Sequence, residues 1–178
     1  MKIFETTRLS IRSLQLRDKA FFSELVTGSE ILKLIPQVPF TEKEITNKFA
    51  NNLNLKLTDF KKQQCVCGVF EKDNHEMIGL ALFLIKDNEH ELGYRFRKKY
   101  WGKGYGKETT KGMLAFYFNI LNLNKVIARA NIVNTGSINI LNKFMSPVKD
   151  VFNEKDNCTD RFFELEKKDW LLQKNKGL

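Results

Sequence analysis

The run Glu91-Leu92-Gly93-Tyr94-Arg95-Phe96-Arg97-Lys98-Lys99-Tyr100-Trp101-Gly102-Lys103-Gly104-Tyr105-Gly106-Lys107-Glu108 constrains this chain more than any other stretch. A strand-like segment leads into a loop with three alternating glycines, and a helical pattern follows at once. Positions without side chains let backbone N–H groups turn toward an anion and let it come close. The start of a helix adds partial positive charge at the same place. Arg97, Lys98, Lys99, Lys103 and Lys107 supply full charges around it. The stretch therefore reads as a cradle for a diphosphate. No Gly-Lys-Ser/Thr closes it, which excludes a Walker loop. After Gly102 and Gly104, the third glycine of a dinucleotide fingerprint would fall on Lys107, which excludes that loop too. A plain tight turn before a helix is the remaining alternative.

The flanks give the fold class. Thr7 to Ser13 alternates, with Leu9 and Ile11 on one face, and reads as a strand. Asp18 is placed to cap a helix carrying Phe21, Phe22 and Leu25. Pro36 and Pro39 punctuate a loop, after which Thr41 and Glu44 form a capping box ahead of Ile45, Phe49 and Leu53. Gln64–Phe70, Met77–Ile85 and Glu89–Phe96 read as three strands joined by turns at Asp73-Asn74 and Asp87-Asn88, an antiparallel meander. A helix is expected from Tyr105 to Ile120, with Tyr105, Thr109, Met113, Phe116 and Ile120 as its buried stripe. Lys125–Ala130 is read as a strand, Asn134–Phe144 as a short helix, and Arg161–Glu166 as a last strand before Trp170 and a polar tail. This order predicts an α+β protein: a mixed, mostly antiparallel central sheet flanked by helices. Residues 4–170 are expected to form one domain, with 171–178 as a C-terminal tail.

Composition narrows the partners. Thirty Lys and Arg against 21 acidic residues give a formal charge of +9, which favours a polyanion or a phosphorylated cofactor. No RNP, zinc-finger or helix-turn-helix pattern is present, which argues against nucleic acid. No apolar run has the length of a membrane helix, and the first residues lack the apolar block of a signal peptide. With three cysteines, Cys65, Cys67 and Cys158, a cytoplasmic location is expected. Cys65 and Cys67 with His75 and His90 lack zinc-site spacing, so no metal is expected; the two cysteines read as one face of a strand.

Trp101-Gly102-Lys103-Gly104-Tyr105-Gly106 resembles the coenzyme A diphosphate loop of the GNAT N-acetyltransferase superfamily. Within it the chain is similar to the RimJ/RimL type of ribosomal-protein N-terminal acetyltransferases. The supporting matches are Thr7-Arg8-Leu9-Ser10-Ile11-Arg12, Leu92-Gly93-Tyr94, Asn134-Thr135-Gly136-Ser137 with Ile140-Leu141, and Asp160, Phe163, Leu165 and Trp170. The chain departs from the branch at Met145-Ser146, where Gly-Phe is usual, and between Pro147 and Cys158, beside the acceptor site of such enzymes.

The resemblance implies a GNAT fold, acetyl-CoA as acetyl donor and a primary amine as acceptor. It implies that backbone groups of Tyr94, Arg95 and Phe96 pair with the pantetheine arm, that a backbone N–H near Phe96 polarises the thioester carbonyl, and that Trp101, Gly102, Lys103, Gly104, Tyr105 and Gly106 hold the diphosphate. Asn134 would bond near the pantetheine, or serve as a helix N-cap, or both. Glu91 is the candidate base, acting through a water. Ser137 is the candidate proton donor to the leaving thiolate, with Tyr94, Tyr100, Tyr105 and Tyr117 as alternatives. The expected acceptor is a protein N-terminal amine, favoured if acidic; a small amine such as a polyamine or antibiotic, or a non-catalytic binding module, are the competing readings. An α-amine, at a pKa of about 7.7–8.0, is already neutral in roughly a tenth of molecules at pH 7, whereas a lysine amine needs stronger help. A monomer or a homodimer is compatible with the sequence.

Overall fold

The computed structural model describes residues 1–72, 74 and 76–175. The alternation of apolar and polar residues seen in the sequence becomes a sheet of eight strands among the described residues. These are β1 (Lys2–Glu5), β2 (Leu9–Ser13), β3 (Cys65–Glu71), β4 (Met77–Lys86), β5 (Glu89–Phe96), β6 (Lys125–Asn131), β7 (Ser146–Asn153) and β8 (Cys158–Glu166). They lie in the order β1-β2-β3-β4-β5-β6-β8-β7. Every neighbouring pair is antiparallel except β5 and β6, which run parallel. Parallel strands need a crossover, and here it is the glycine loop with α4 (Tyr105–Ala115). The expected α+β class, a mixed and mostly antiparallel sheet flanked by helices, is what the chain forms.

The sheet carries an apolar cluster on each face, because consecutive strand residues point to opposite sides. Leu80 packs with Phe22, Leu25, Ile45 and Phe49, which come from α1 (Lys19–Thr27) and α3 (Glu42–Ala50). Its neighbour Ala81 packs with Cys65, Cys67, Phe83, Met113 and Tyr117 on the α4 side. Phe60, Phe83 and Phe116 meet edge to face there, with centroids 4.9 to 5.5 Å apart. The reading of Cys65 and Cys67 as core residues holds. Burial pushes the Cys65 thiol up to about 12 and Cys67 upward too, so both stay protonated. His75, and Asp73 of the expected turn, lie outside the described residues.

The capping box of α3 forms as read: the Glu44 N–H donates to Thr41 Oγ1 at 3.3 Å and the Thr41 N–H to Glu44 Oε2 at 2.7 Å. Asp18 does not cap α1. Its buried carboxylate accepts from Arg12 at 2.8 and 3.1 Å and from the Gln15 N–H at 2.8 Å, closing the turn that precedes the helix. The helix expected to reach Ile120 changes hand-hold at Phe116. A π turn over Phe116–Ile120 inserts one residue per turn, so Tyr117, Phe118 and Leu121 are buried and Ile120 is 57% exposed. A uniform 3.6-residue period predicts the reverse for Ile120. After α5 (Thr135–Leu141), residues that the sequence assigned to no element form β7, whose side chains are exposed almost throughout and so carry no alternation to read. The polar tail begins as a helix, α6 (Lys167–Asn175), anchored by Trp170 stacked on Phe118.

Candidate active site

Strands β5 and β6 pair only at Glu91–Ile127 and Leu92–Ala128. Beyond Leu92 they part, while β5 stays bonded to β4 along its other edge. The backbone of Gly93, Tyr94, Arg95 and Phe96 thus faces a wedge with its β6-side groups unclaimed by the sheet. A backbone edge of this kind accepts another extended, amide-bearing chain as an added strand.

The glycine loop closes one end of the wedge. Gly102 and Gly104 have φ of +74° and +81°, the left-handed region that only glycine enters freely. Gly104 is the N-cap of α4, and a Cβ at Gly102 would meet nothing within 4 Å, so the loop's outer side is open. The loop is braced from behind. Trp101 Nε1 donates to the Phe96 carbonyl at 2.7 Å, and Arg8 donates to the Lys103 carbonyl at 3.0 Å and to Glu108 at 2.7 Å. Gly106 lets α4 lie against Tyr94: a Cβ there would stand 3.2 Å from its ring and 3.0 Å from Ile140.

The basic cluster read from the sequence is only partly assembled here. Arg97 is paired with Glu24 and Glu76, Lys98 with Glu30, and Lys99 with Glu76. Lys103 lies over the Tyr100 ring at 5.1 Å. Lys107 lines the cleft, joined by Lys143 from the turn after α5, which sequence spacing gave no reason to select. Among the described residues neither has a carboxylate partner.

A cleft of about 460 Å³ runs from this loop along the wedge. Tyr94, Arg95, Phe96, Trp101, Gly102, Gly104, Tyr105 and Gly106 line it, as do Asn134 and Ser137 at its inner end. Lys103 is not among its lining residues. An open, doubly left-handed loop at a helix start, an unpaired strand edge and an inner polar end together fit a long diphosphate-bearing amide such as coenzyme A.

At the inner end, Asn134 caps α5: its Oδ1 accepts from the Ser137 N–H at 3.1 Å, and its Nδ2 donates to the Leu34 carbonyl at 3.3 Å. Tyr94 Oη lies 3.3 Å from Ser137 Oγ. Burial raises the Tyr94 pKa above its ordinary value, so the hydroxyl holds its proton. Of the four tyrosines left open by the sequence, Tyr94 is the one beside Ser137. Tyr105 is bonded to Glu71, and Tyr117 is fully buried, donating to the Glu91 carbonyl at 3.0 Å.

A second cleft of about 280 Å³ meets the first at Tyr94, Arg95, Asn134 and Ser137. Glu91 lines it but is not the exposed strand carboxylate that its sequence position alone suggests. It is buried, and its Oε2 accepts from both Nε (2.9 Å) and Nη2 of Arg129. Asn153 and Asp156, from the segment that departs from the family pattern, and Asp160 of β8 complete the far wall. Asp160 was legible only as part of a closing strand. Burial raises its pKa, against the opposing pull of Arg129. A carboxyl with a raised folded-state pKa destabilises the fold once ionised, so the sign is fixed. Asp160→Asn is expected to raise the melting temperature at pH 7, and the gain should vanish as pH falls below about 3.9, where the carboxyl is protonated in both states. Paired thermal melts across pH 3–7 check this; a gain that persists at pH 3 would contradict it.

The family model for an acetyltransferase (GNAT) domain matches residues 8–144. The chain is 26% identical over 171 residues to the uncharacterized N-acetyltransferase p20 of Bacillus licheniformis, covering 93% of both chains. It superposes on a spermidine N-acetyltransferase from Vibrio cholerae, solved with CoA and spermine, at a TM-score of 0.77 and 16% identity, covering 93% of this chain and 99% of that one. It also superposes on RimL, a ribosomal L7/L12 α-N-protein acetyltransferase in complex with coenzyme A, at 0.74 and 13%, covering 93% and 98%. Among the described residues no helix is long and apolar enough to cross a membrane. The match covers most of the chain, which belongs to the GNAT acetyltransferase family and is an acetyl-CoA-dependent N-acetyltransferase.

Proposed function

We propose that the protein acetylates the α-amine at the N-terminus of a protein or peptide, as a RimJ/RimL-like member of its family acting through one catalytic unit spanning residues 4–170. The observation that carries this is the charge balance of the second cleft. Lys86, Arg95 and Arg129 share its walls with Glu91, Asp156 and Asp160, and the amides of Asn131, Asn134 and Asn153 lie among them. A polyamine offers only cationic donors and is favoured by an acidic cleft. A peptide end offers one amine followed by backbone donors and acceptors, which carboxamides match in both senses.

In this reading Trp101, Gly102, Lys103, Gly104, Tyr105 and Gly106 hold the diphosphate, with Lys107 and Lys143 as its free cations. The Gly93–Phe96 edge holds the pantetheine arm, with Asn134 at its inner end. Acetyl-CoA supplies the activated thioester. Ser137, backed by the Tyr94 hydroxyl, hydrogen-bonds the sulfur as it departs. Glu91, held in place by Arg129, is the base that receives the amine proton through a bridging water. An α-amine asks little of that water, being partly neutral at pH 7.

The test is acetylation of a panel, read by mass spectrometry: peptides with free N-termini, an N-blocked peptide with a lysine, spermidine and an aminoglycoside. Turnover confined to free N-termini is the expected result. Turnover of spermidine or the aminoglycoside with every peptide inert would overturn it.

A further inference from the structure

Arg95 projects from β5 where the two clefts meet. Its guanidinium is inside the protein, and among the described residues its Nε and Nη1 have no hydrogen-bond partner. Its single bond is from Nη2 to Gln37 Oε1, and the Gln37 Nε2 is itself buried and unpartnered. No carboxylate among the described residues pairs with it. The acids of the second cleft are engaged elsewhere: Glu91 holds Arg129, Asp156 accepts from Asn153 Nδ2 at 2.9 Å and from the Val38 N–H at 3.3 Å, and Asp160 accepts from the Cys158 thiol at 3.8 Å. Burial alone lowers the Arg95 pKa to about 10, with no neighbouring charge offsetting it.

A buried cation without a partner is costly, and buried charges are ordinarily paired. Here the unclaimed donors cluster: Nε and Nη1 of the guanidinium, and the nitrogen of the Gln37 carboxamide whose oxygen accepts from Nη2 of the same group. Charge-assisted N–H donors of this kind are what a carboxylate accepts from, the guanidinium supplying the full charge and the carboxamide a further donor. The position also restricts the source. The diphosphate loop is at the other end of the first cleft, whereas Arg95 shares the junction with Ser137 and Tyr94, where the amine must arrive.

We propose that Arg95, supported by Gln37, binds a carboxylate carried by the acceptor next to its reacting amine, so that the preferred substrates are amines with an acidic group within one residue of the amine. This rests on the amine-acceptor reading above and narrows it. The carboxylate is the side chain of an N-terminal Asp or Glu in a peptide, or the α-carboxylate of a free amino acid.

The experiment compares kcat/KM for peptides that differ only in an N-terminal Asp, Asn or Ala, together with free aspartate and alanine, in the wild type and in Arg95→Met and Arg95→Lys. The wild type is expected to favour the Asp peptide over the Asn peptide by about 30-fold or more, as the loss of a desolvated charge pair implies. Arg95→Met should bring that ratio near one, mainly through KM for the peptide, with a melting temperature that does not fall. Arg95→Lys should keep part of the ratio. Preference for the free amino acids over all peptides would assign the carboxylate to the α-position. Equal wild-type rates on Asp and Asn peptides with free amino acids inert, or equal losses on both peptides in Arg95→Met, would overturn the proposal while leaving N-terminal acetylation intact. If no amine is acetylated, the acceptor reading itself fails. Calorimetry of the CoA-loaded protein with N-acetyl-Asp and N-acetyl-Asn peptides then decides: tighter binding of the first that disappears in Arg95→Met supports the carboxylate site, and equal binding sinks it.

Discussion

Gly104→Glu is expected to remove measurable binding of coenzyme A while the fold survives. Three effects act together at this position. The backbone φ of +81° is strained for any side chain, at a cost of about 1–3 kcal/mol, which the fold can bear. A Cβ would stand 3.4 Å from the Arg8 guanidinium that braces the loop, so an added side chain disturbs that brace. Its carboxylate also adds negative charge to the loop and competes with Glu108 for Arg8, and like charges brought together cost several kcal/mol. The combined loss should exceed 100-fold, or about 2.7 kcal/mol. Titration calorimetry with CoA checks it. Gly104→Ala separates strain from charge, because it should keep part of the affinity. Unaltered affinity in the glutamate variant, with a native melting profile, would place the diphosphate elsewhere.

The second large effect is expected from the hydroxyl pair. Ser137 and Tyr94 stand 3.3 Å apart at the inner end of the cleft, so either can cover for the loss of the other. Ser137→Ala and Tyr94→Phe should each lower kcat modestly. The double variant should lose about 10²–10⁴-fold, the usual range for removing a positioned proton donor. The deficit should exceed the product of the single losses, since residues in contact are not additive. Tyr94→Phe keeps the ring that packs beside Gly106, and Ser137→Ala keeps the Asn134 cap, whose donor is the Ser137 backbone N–H. CoA affinity should therefore hold. Single-turnover kinetics separates the chemical step from product release. A double variant with wild-type turnover would show that neither hydroxyl serves the leaving sulfur.

The parts of the site carried by backbone conformation were readable from residue type. Glycine spacing announces left-handed loop positions, and Gly102 and Gly104 adopt them. The Asn134–Ser137 spacing announces an N-cap, and it forms. The charges were read less well, because pairing is a tertiary property. Arg97, Lys98 and Lys99 sit beside the loop in sequence, yet they are held by Glu24, Glu30 and Glu76 from α1, α2 (Ser29–Leu32) and the turn before β4. Glu91 belongs to a strand that reads as half exposed, but the neighbouring β6 brings Arg129 against it. Arg95 and Gln37 are 58 residues apart, and nothing local joins them. In the fold, β1, β7 and α6 were missed for a common reason. A four-residue edge strand, a strand exposed on both faces and a helix with one buried anchor show no periodicity.

The central claim is that the donor lies in the wedge between β5 and β6, with its diphosphate on the glycine loop and its sulfur at the Tyr94–Ser137 pair. A crystal structure of the protein soaked with coenzyme A measures this most directly. The account predicts diphosphate density against the backbone of Gly102 to Gly106, the pantetheine amides bonded to the free edge of Gly93 to Phe96, and the sulfur within hydrogen-bond reach of Ser137 Oγ or Tyr94 Oη. Coenzyme A bound with its sulfur away from that junction, or with β5 and β6 zipped together beneath it, would contradict the account.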